Sequence, residues 1–539
     1  MNSTRCQYAL LVLFLAITSA MAQQPPSFSW QDTLAPEKRQ QLFSLSQNEI
    51  DYFARYFDPA DTAAIDVAGY RAKNDDGTLC DLPVGVFDSG TGGLAVLEEL
   101  RKALPASERY IFYADQANMP WGEYPTTPQR TATLLEIMMG VYQFLLTDRY
   151  DVSPHMQQAA KSPVKAVVVA CNTATAYSVK LAQQVLALGH QLVELPEIPV
   201  YGIIDSGAEG ALAVLEQRAA GKSESRPAVS IAVLATSGTV DAGAYPVSIY
   251  KQAGEKNWKS ISVYQQAGIG LAGAIDQMPE YIDLQAGSWR SSYKGPNANV
   301  LAKPLDRELW SRLHFVPGGN GNGFFVRKSG NEVIDFQLNS VENYIRLSVV
   351  MLLEQMLKKE ESKPLAAVIL GCTHYPYYQG TFAKVFRELR QYKTDGRYVY
   401  RHLLAPELAF IDPSWYLAQT VKQGLAQRHL LRNKQPDAQE TEQFYISVPK
   451  ANLSTTVFVE QNPRRGFTSE YKHGRTVDHG KRVRPETVND IARVPMGRNN
   501  IDDVVARRLA TRVPQTFQAM TAFSRRIAET KADSLYVAF

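Results

Sequence analysis

A chain of 539 residues is too long for one ordinary hydrophobic core, so it should divide into two or more domains. Its 57 basic and 54 acidic residues leave a formal charge of only +3, which excludes a strong overall field for nucleic acid or a membrane surface. Hydrophobic residues at 45% and charged residues at 21% exclude a mainly disordered chain.

In chain order, the first segment differs from everything after it. Arg5 gives one positive charge, Tyr8 to Ala20 is apolar but short for a membrane span, and Ala20-Met21-Ala22 has the small-x-small form of a cleavage site. Residues 1–22 therefore read as a secretory signal, and the mature protein as periplasmic or secreted. After its removal no segment is long and apolar enough to span a bilayer. Residues 23–81 read as a polar N-terminal extension with helical pieces, Pro36 to Phe57 among them, and a turn near Asp75-Asp76-Gly77.

From Leu82 strands alternate with helices. Val84 to Phe87, Tyr110 to Ala114 and Val164 to Ala170 read as strands, with helices at Gly93 to Leu104 and Thr127 to Leu146. A second series is expected to begin at Val200 to Ile204. It runs through a helix Gly207 to Arg218, a strand Ile231 to Leu234, a helix around Ala242 to Gln252 and a strand Ile261 to Tyr264. After a Gly/Asn/Ser-rich insertion, about 277–337, it resumes with a helix Val341 to Lys358 and a strand Ala366 to Leu370. This rhythm predicts an α/β protein of two similar doubly wound parallel-sheet lobes, plus N- and C-terminal extensions. The boundaries read as 82–195 for the first lobe, completed by about 400–427, 196–399 for the second, and 428–539 for the C-terminal extension. The insertion reads as loops that could cover a cleft. Within the last segment, residues 464–484 carry seven Lys/Arg, a solvated tail or a surface for an anionic cell-envelope component.

Two cysteines stand out. Cys171, after Val167-Val168-Val169-Ala170, and Cys372, after Val368-Ile369-Leu370-Gly371, each end a short apolar run, where α/β sheets put their chemistry. Repetition of that design implies two half-domains facing each other with one thiol from each, and two opposed thiols make an acid/base pair. Either cysteine alone is better explained as a small buried hydrophobe. The polar residues directly after them, Asn172-Thr173 and Thr373-His374, favour chemistry over packing. Without the signal the chain keeps three cysteines, an odd number that cannot form a complete set of intrachain disulfides.

The motifs Phe87-Asp88-Ser89-Gly90-x-Gly92-Gly93, Ala170-Cys171-Asn172-Thr173-Ala174-Thr175-Ala176 and Leu370-Gly371-Cys372-Thr373-His374-Tyr375-Pro376 resemble those of the aspartate/glutamate racemase family, and within it glutamate racemase. Tyr113-x-Asp115, Pro120-Trp121-Gly122 and Leu234-Ala235-Thr236 follow in the family's order. The likeness covers roughly 82–276 and 338–427. It implies a site between the lobes in which Cys171 and Cys372 act on opposite faces of Cα, assisted by Asp88 and His374. It also implies a small acidic amino-acid substrate bound by Ser89, Pro120, Trp121, Gly122, Asn172, Thr173, Thr236 and Thr373. The expected reaction is cofactor-independent interconversion of L- and D-glutamate, or aspartate. Nothing calls for pyridoxal phosphate, a metal or a nucleotide, and a homo-oligomer is compatible with this reading.

The chain departs from the family in places. Trp121 stands where the family usually has Tyr. An acidic residue often found near the start of the insertion is matched only by Asp276, and Gly268 to Ala272 is unusually glycine-rich. Two other functions fit parts of the chain. Gly90-x-Gly92-x-x-Ala95, with Asp115 about twenty residues on, has the form of a dinucleotide fingerprint, although Asp88 would set a negative charge beside the pyrophosphate. A non-catalytic periplasmic amino-acid-binding protein on the same scaffold would need neither thiol.

Overall fold

The computed structural model describes residue 57 and residues 65–539, apart from 125–126, 154, 156–157, 220–226, 259, 302–304, 360–361, 435–441, 459–460, 462–465, 475–489 and 531–537. The expected signal, the helix expected from Pro36 and most of the basic run 464–484 lie outside the described residues.

Two mainly parallel sheets form the frame. The first has six strands in the order Ile491–Pro495, Gln443–Pro449, Tyr110–Ala114, Val84–Asp88, Ala166–Val169, Val200–Gly202; only the Ile491–Pro495 strand runs antiparallel to its neighbour. The second has four parallel strands in the order Leu404–Ile411, Leu365–Gly371, Val229–Ala235, Ile261–Ala267. The central strands Val84–Asp88, Tyr110–Ala114, Ala166–Val169, Val229–Ala235 and Leu365–Gly371 are buried at every residue. That is why they read as unbroken apolar runs rather than alternating ones.

The boundaries differ from the sequence expectation in three places. The Val200–Gly202 strand pairs with Ala166–Val169 and so closes the first sheet instead of opening the second. The Leu404–Ile411 strand, expected to complete the first lobe, pairs with Leu365–Gly371 in the second. The helix that follows it, Pro413–Gln427, packs on both Leu94–Ala103 and Ile203–Ala219 and so lies where the lobes meet.

The third difference is larger. The α/β pattern does not stop near residue 427, because Gln443–Pro449 pairs in parallel with Tyr110–Ala114 and supports the antiparallel edge strand Ile491–Pro495. Phe444 and Tyr445 are buried in the same core as Phe112 and Tyr113. Without this addition, Tyr110–Ala114 would be an apolar sheet edge with open N–H and C=O groups, so pairing satisfies it.

The insertion carries more structure than loops. It contains helix Arg307–Leu313 and the antiparallel hairpin Phe324–Ser329/Glu332–Leu338. Trp310, Phe315, Phe324 and Phe336 pack ring against ring, and Leu309, Leu313, Phe336 and Leu338 join the core of helix Val341–Leu357. Asn343 on that helix gives its amide to the carbonyls of Val316 and Gly323 at 2.8 and 2.9 Å. Among the described residues, no helix is long and apolar enough to cross a membrane.

Candidate functional site

Register brings the expected residues together at the carboxyl ends of the strands. Asp88 is opposite Ala114, and Phe87 is opposite Val169, two residues before Cys171, so Asp88 and Cys171 end neighbouring strands. In the second sheet Gly371 is opposite Ala235, which sets Cys372 beside Thr236. The strand ends of the two lobes then meet. Thr373 hydroxyl donates to Asp88 Oδ2 at 3.4 Å, and Thr173 hydroxyl lies 3.1 Å from that of Thr236 and 3.2 Å from that of Thr239.

The approach is close enough to require a glycine. A Cβ at Gly92 would lie 2.5 Å from Thr373 Oγ1 and 2.7 Å from His374 Cε1, so the Asp88 loop can press against the Cys372 loop only without a side chain there.

Each thiol is buried and free, and each has its own partners. Cys171 is the N-cap of helix Asn172–Val193; its sulfur accepts from Ala174 N–H at 3.5 Å and its thiol donates to Ser89 Oγ at 3.4 Å. Burial, reinforced by the charge of Asp88, pushes the Cys171 thiol up to about 12, against the smaller help of those hydrogen bonds. Cys372 Sγ lies 3.7 Å from His374 Nδ1. On the far side of the ring, His374 Nε2 is 3.2 Å from Asp276 Oδ2. Burial alone would push the imidazole down; the Asp276 charge and the contact with Cys372 outweigh it and hold the ring well above its usual value. Asp276 is itself held low, its burial outweighed by His374 and Arg508.

Asp88 is also fully buried. Burial raises it to about 6, although His374 and the N–H groups of Gly93, Ser89 and Gly90 favour its charge. Its Oδ2 accepts from Gly93 N–H at 2.6 Å, so it both braces its own turn and faces the site. Asn172 Oδ1 accepts from Tyr245 hydroxyl at 2.7 Å, while its buried amide nitrogen has no acceptor among the described residues. A fixed donor without an acceptor is a ready partner for a ligand carboxylate.

One expected contact is displaced. The Trp121 side chain is buried away from solvent, tilted against Phe87 with ring centroids 5.2 Å apart, and its indole N–H goes to Asp115 Oδ2 at 3.1 Å. Apolar bulk and a buried acceptor draw the indole into the core. Gly122 sits against Thr236, 3.3 Å from the Thr236 Cβ to an added Cβ. The same contact removes the dinucleotide reading: Asp115 is fully buried and held by Tyr113, Asn118 and Trp121, so it cannot reach a ribose.

Sequence reasoning missed Thr239, Tyr245 and Arg508 as members of this neighbourhood, and noted Asp276 without giving it a role. Thr239 lies one helical turn beyond Thr236, a spacing that could have been read. Tyr245 and Arg508 carry no local signal.

No family model matches the chain. It is 37% identical over 351 residues to a glutamate racemase of Limosilactobacillus fermentum, covering 65% of this chain and 83% of the relative. Similarity to a glutamate racemase of Oceanobacillus iheyensis is 34% over 308 residues, covering 57% and 73%. Among solved structures, glutamate racemase from Francisella tularensis in complex with D-glutamate aligns with TM-score 0.37 and 20% identity, over 68% of this chain and 88% of that one. With more than a third of residues identical across most of a relative's length, the chain belongs to the glutamate racemase family.

Proposed function

We propose that this protein is a cofactor-independent amino-acid racemase that interconverts the enantiomers of glutamate or aspartate. The observation that carries this reading is that two free, buried thiols each follow a central strand of a different lobe, at strand ends joined across the lobes by Thr373 on Asp88 and Thr173 beside Thr236. Racemisation needs one group to take the Cα proton from one face and another to deliver a proton to the opposite face. Cys171, a neutral thiol at rest, suits delivery. Cys372, beside the imidazolium of His374, suits removal, and the roles exchange in the reverse direction. His374 and Asp88 each stand next to one half of the reaction and can hold or pass a proton there. Ser89, Asn172, Thr173, Thr236 and Thr373 supply donors for the substrate's carboxylates, with N–H groups at the start of helix Asn172–Val193 adding to them.

The test is exchange at Cα. Purified protein in D₂O with reductant should incorporate deuterium into L-glutamate or L-aspartate and lose their optical rotation. Cys171→Ser and Cys372→Ser should each lower racemisation by roughly 10³-fold or more while leaving the fold unchanged by circular dichroism. Full two-way racemisation by either variant would refute the two-thiol mechanism. Tight binding without exchange would make the protein a binder on this scaffold.

A further inference from the structure

The C-terminal extension brings a charged side chain to the edge of the candidate site. Helix Asp503–Arg512 starts at Asp502, whose carboxylate accepts from the N–H groups of Val504 and Val505 at 2.9 Å, and is followed at once by helix Pro514–Thr530. The second helix is tied to the first lobe, where Thr516 N–H and hydroxyl both donate to Glu98 Oε2, at 2.8 and 2.6 Å. From this anchored base Arg508 reaches the second lobe. Its Nη1 lies 2.6 Å from Asp276 Oδ1 and donates to the Ile275 carbonyl at 3.1 Å, while Nη2 donates to Thr91 hydroxyl at 3.4 Å. Thr91 belongs to the loop after Asp88 in the first lobe.

We propose that Arg508 is a positioning residue for the Cys372 half of the site, fixing the Asp276 carboxylate against His374 and tying it to the Asp88 loop. Asp276 is 9% exposed, and each of its oxygens faces a different cation, His374 on one side and Arg508 on the other. A carboxylate held at both ends cannot turn away from the imidazole, whereas one held by a single partner can. Only a guanidinium fork reaches Asp276, Ile275 and Thr91 together; an ammonium offers one point of charge. The role rests on the racemase reading for its effect on turnover, but not for its effect on His374.

Charge and position predict opposite outcomes, which makes the role testable. The titratable and charged groups around His374 are Asp276, Cys372, Asp88 and, beyond Asp276, Arg508. If Arg508 acted only as a nearby positive charge, removing it would make His374 hold its proton more tightly. If it holds Asp276 in place, removing it frees the carboxylate and His374 holds its proton less tightly.

The experiment uses the full chain as Arg508→Gln, Arg508→Lys, Asp276→Asn and the Arg508→Gln/Asp276→Asn pair. The His374 ring is followed by NMR through a pH titration, and kcat/KM by racemisation of L-glutamate. Arg508→Gln should move the His374 midpoint down toward the ordinary imidazole range and lower kcat/KM roughly tenfold. Arg508→Lys should fall between it and the parent, and the double variant should be no worse than Asp276→Asn alone. A His374 midpoint unchanged or raised in Arg508→Gln would overturn the role, as would losses from Arg508→Gln and Asp276→Asn that multiply. Should Arg508→Gln fail to fold, the Lys variant carries the same comparison. A parent that racemises no amino acid would end the racemase reading, while the titration would still decide the role of Arg508.

Discussion

Asp88 and His374 both bind protons more tightly than such groups do in water, for different reasons. Burial raises Asp88 to about 6, and the Asp276 partner overcomes burial to raise His374. The sign of the linkage is the same for both: a raised value in the folded state contributes stability below the unfolded value, which is lost as pH rises through the folded one. For Asp88 that loss falls between about 4 and 6. Asp88→Asn keeps an acceptor for Gly93 N–H and removes the charge. The melting temperature of the variant relative to the parent should therefore rise by roughly 2–4 °C between pH 5 and pH 8 in differential scanning fluorimetry. A difference that stays constant across this range would show that Asp88 is not a carboxyl held up by burial. In turnover the same variant should lose the acidic limb that Asp88 gives to the pH profile of kcat/KM.

At the scale of loops and strands, the site depends on how closely the turn after Val84–Asp88 meets the turn after Leu365–Gly371. Gly92→Ala should push these turns apart, since the new methyl would meet Thr373 and His374. Activity should fall roughly tenfold or more with native circular dichroism, and wild-type activity would mean that the turns can yield without cost. The Trp121 loop is fixed differently, by the indole N–H on buried Asp115. Trp121→Phe leaves Asp115 with Tyr113 and Asn118, and should cost about 1–3 kcal/mol in urea unfolding.

These elements also show what could be read from the chain alone. Strands buried on both faces appear as runs such as Val167-Val168-Val169 and Val368-Ile369-Leu370, and a cysteine follows each within two residues, so Cys171 and Cys372 stand out from the residues themselves, whereas Asp88 and His374 are singled out only by the resemblance of their motifs. The inward turn of Trp121 was not, because it depends on Asp115 meeting the indole in three dimensions. Strand Gln443–Pro449 was hidden because it is a short run with Gln443 and Ser447 in it, and its partner Tyr110–Ala114 is more than 300 residues away. Arg508 was invisible for the same reason, since its meaning comes only from Thr91 and Asp276.

For the molecule as a whole, the C-terminal extension is part of the first lobe. Its strand Gln443–Pro449 covers Tyr110–Ala114, Ser447 Oγ accepts from Ala117 N–H at 2.9 Å, and Lys472 donates to the Met119 carbonyl. A protein ended after residue 430 would keep the three racemase-like motifs and lose these supports. It should be mostly insoluble, or elute as large aggregates in size-exclusion chromatography, because it bares the apolar edge of Tyr110–Ala114. A soluble, monodisperse truncated protein would show that the edge strand is dispensable.

The pairing of Gln443–Pro449 with Tyr110–Ala114 also sets the timing of assembly. A ribosome delivers Asp88, Cys171 and Cys372 long before it delivers residue 443, and it delivers Arg508 later still. The nascent first lobe must wait with one edge of its sheet open while the whole second lobe is synthesised, an interval in which a chaperone or a neighbouring chain can compete for that edge. The first sheet is thus completed only after the three racemase-like motifs have all been made.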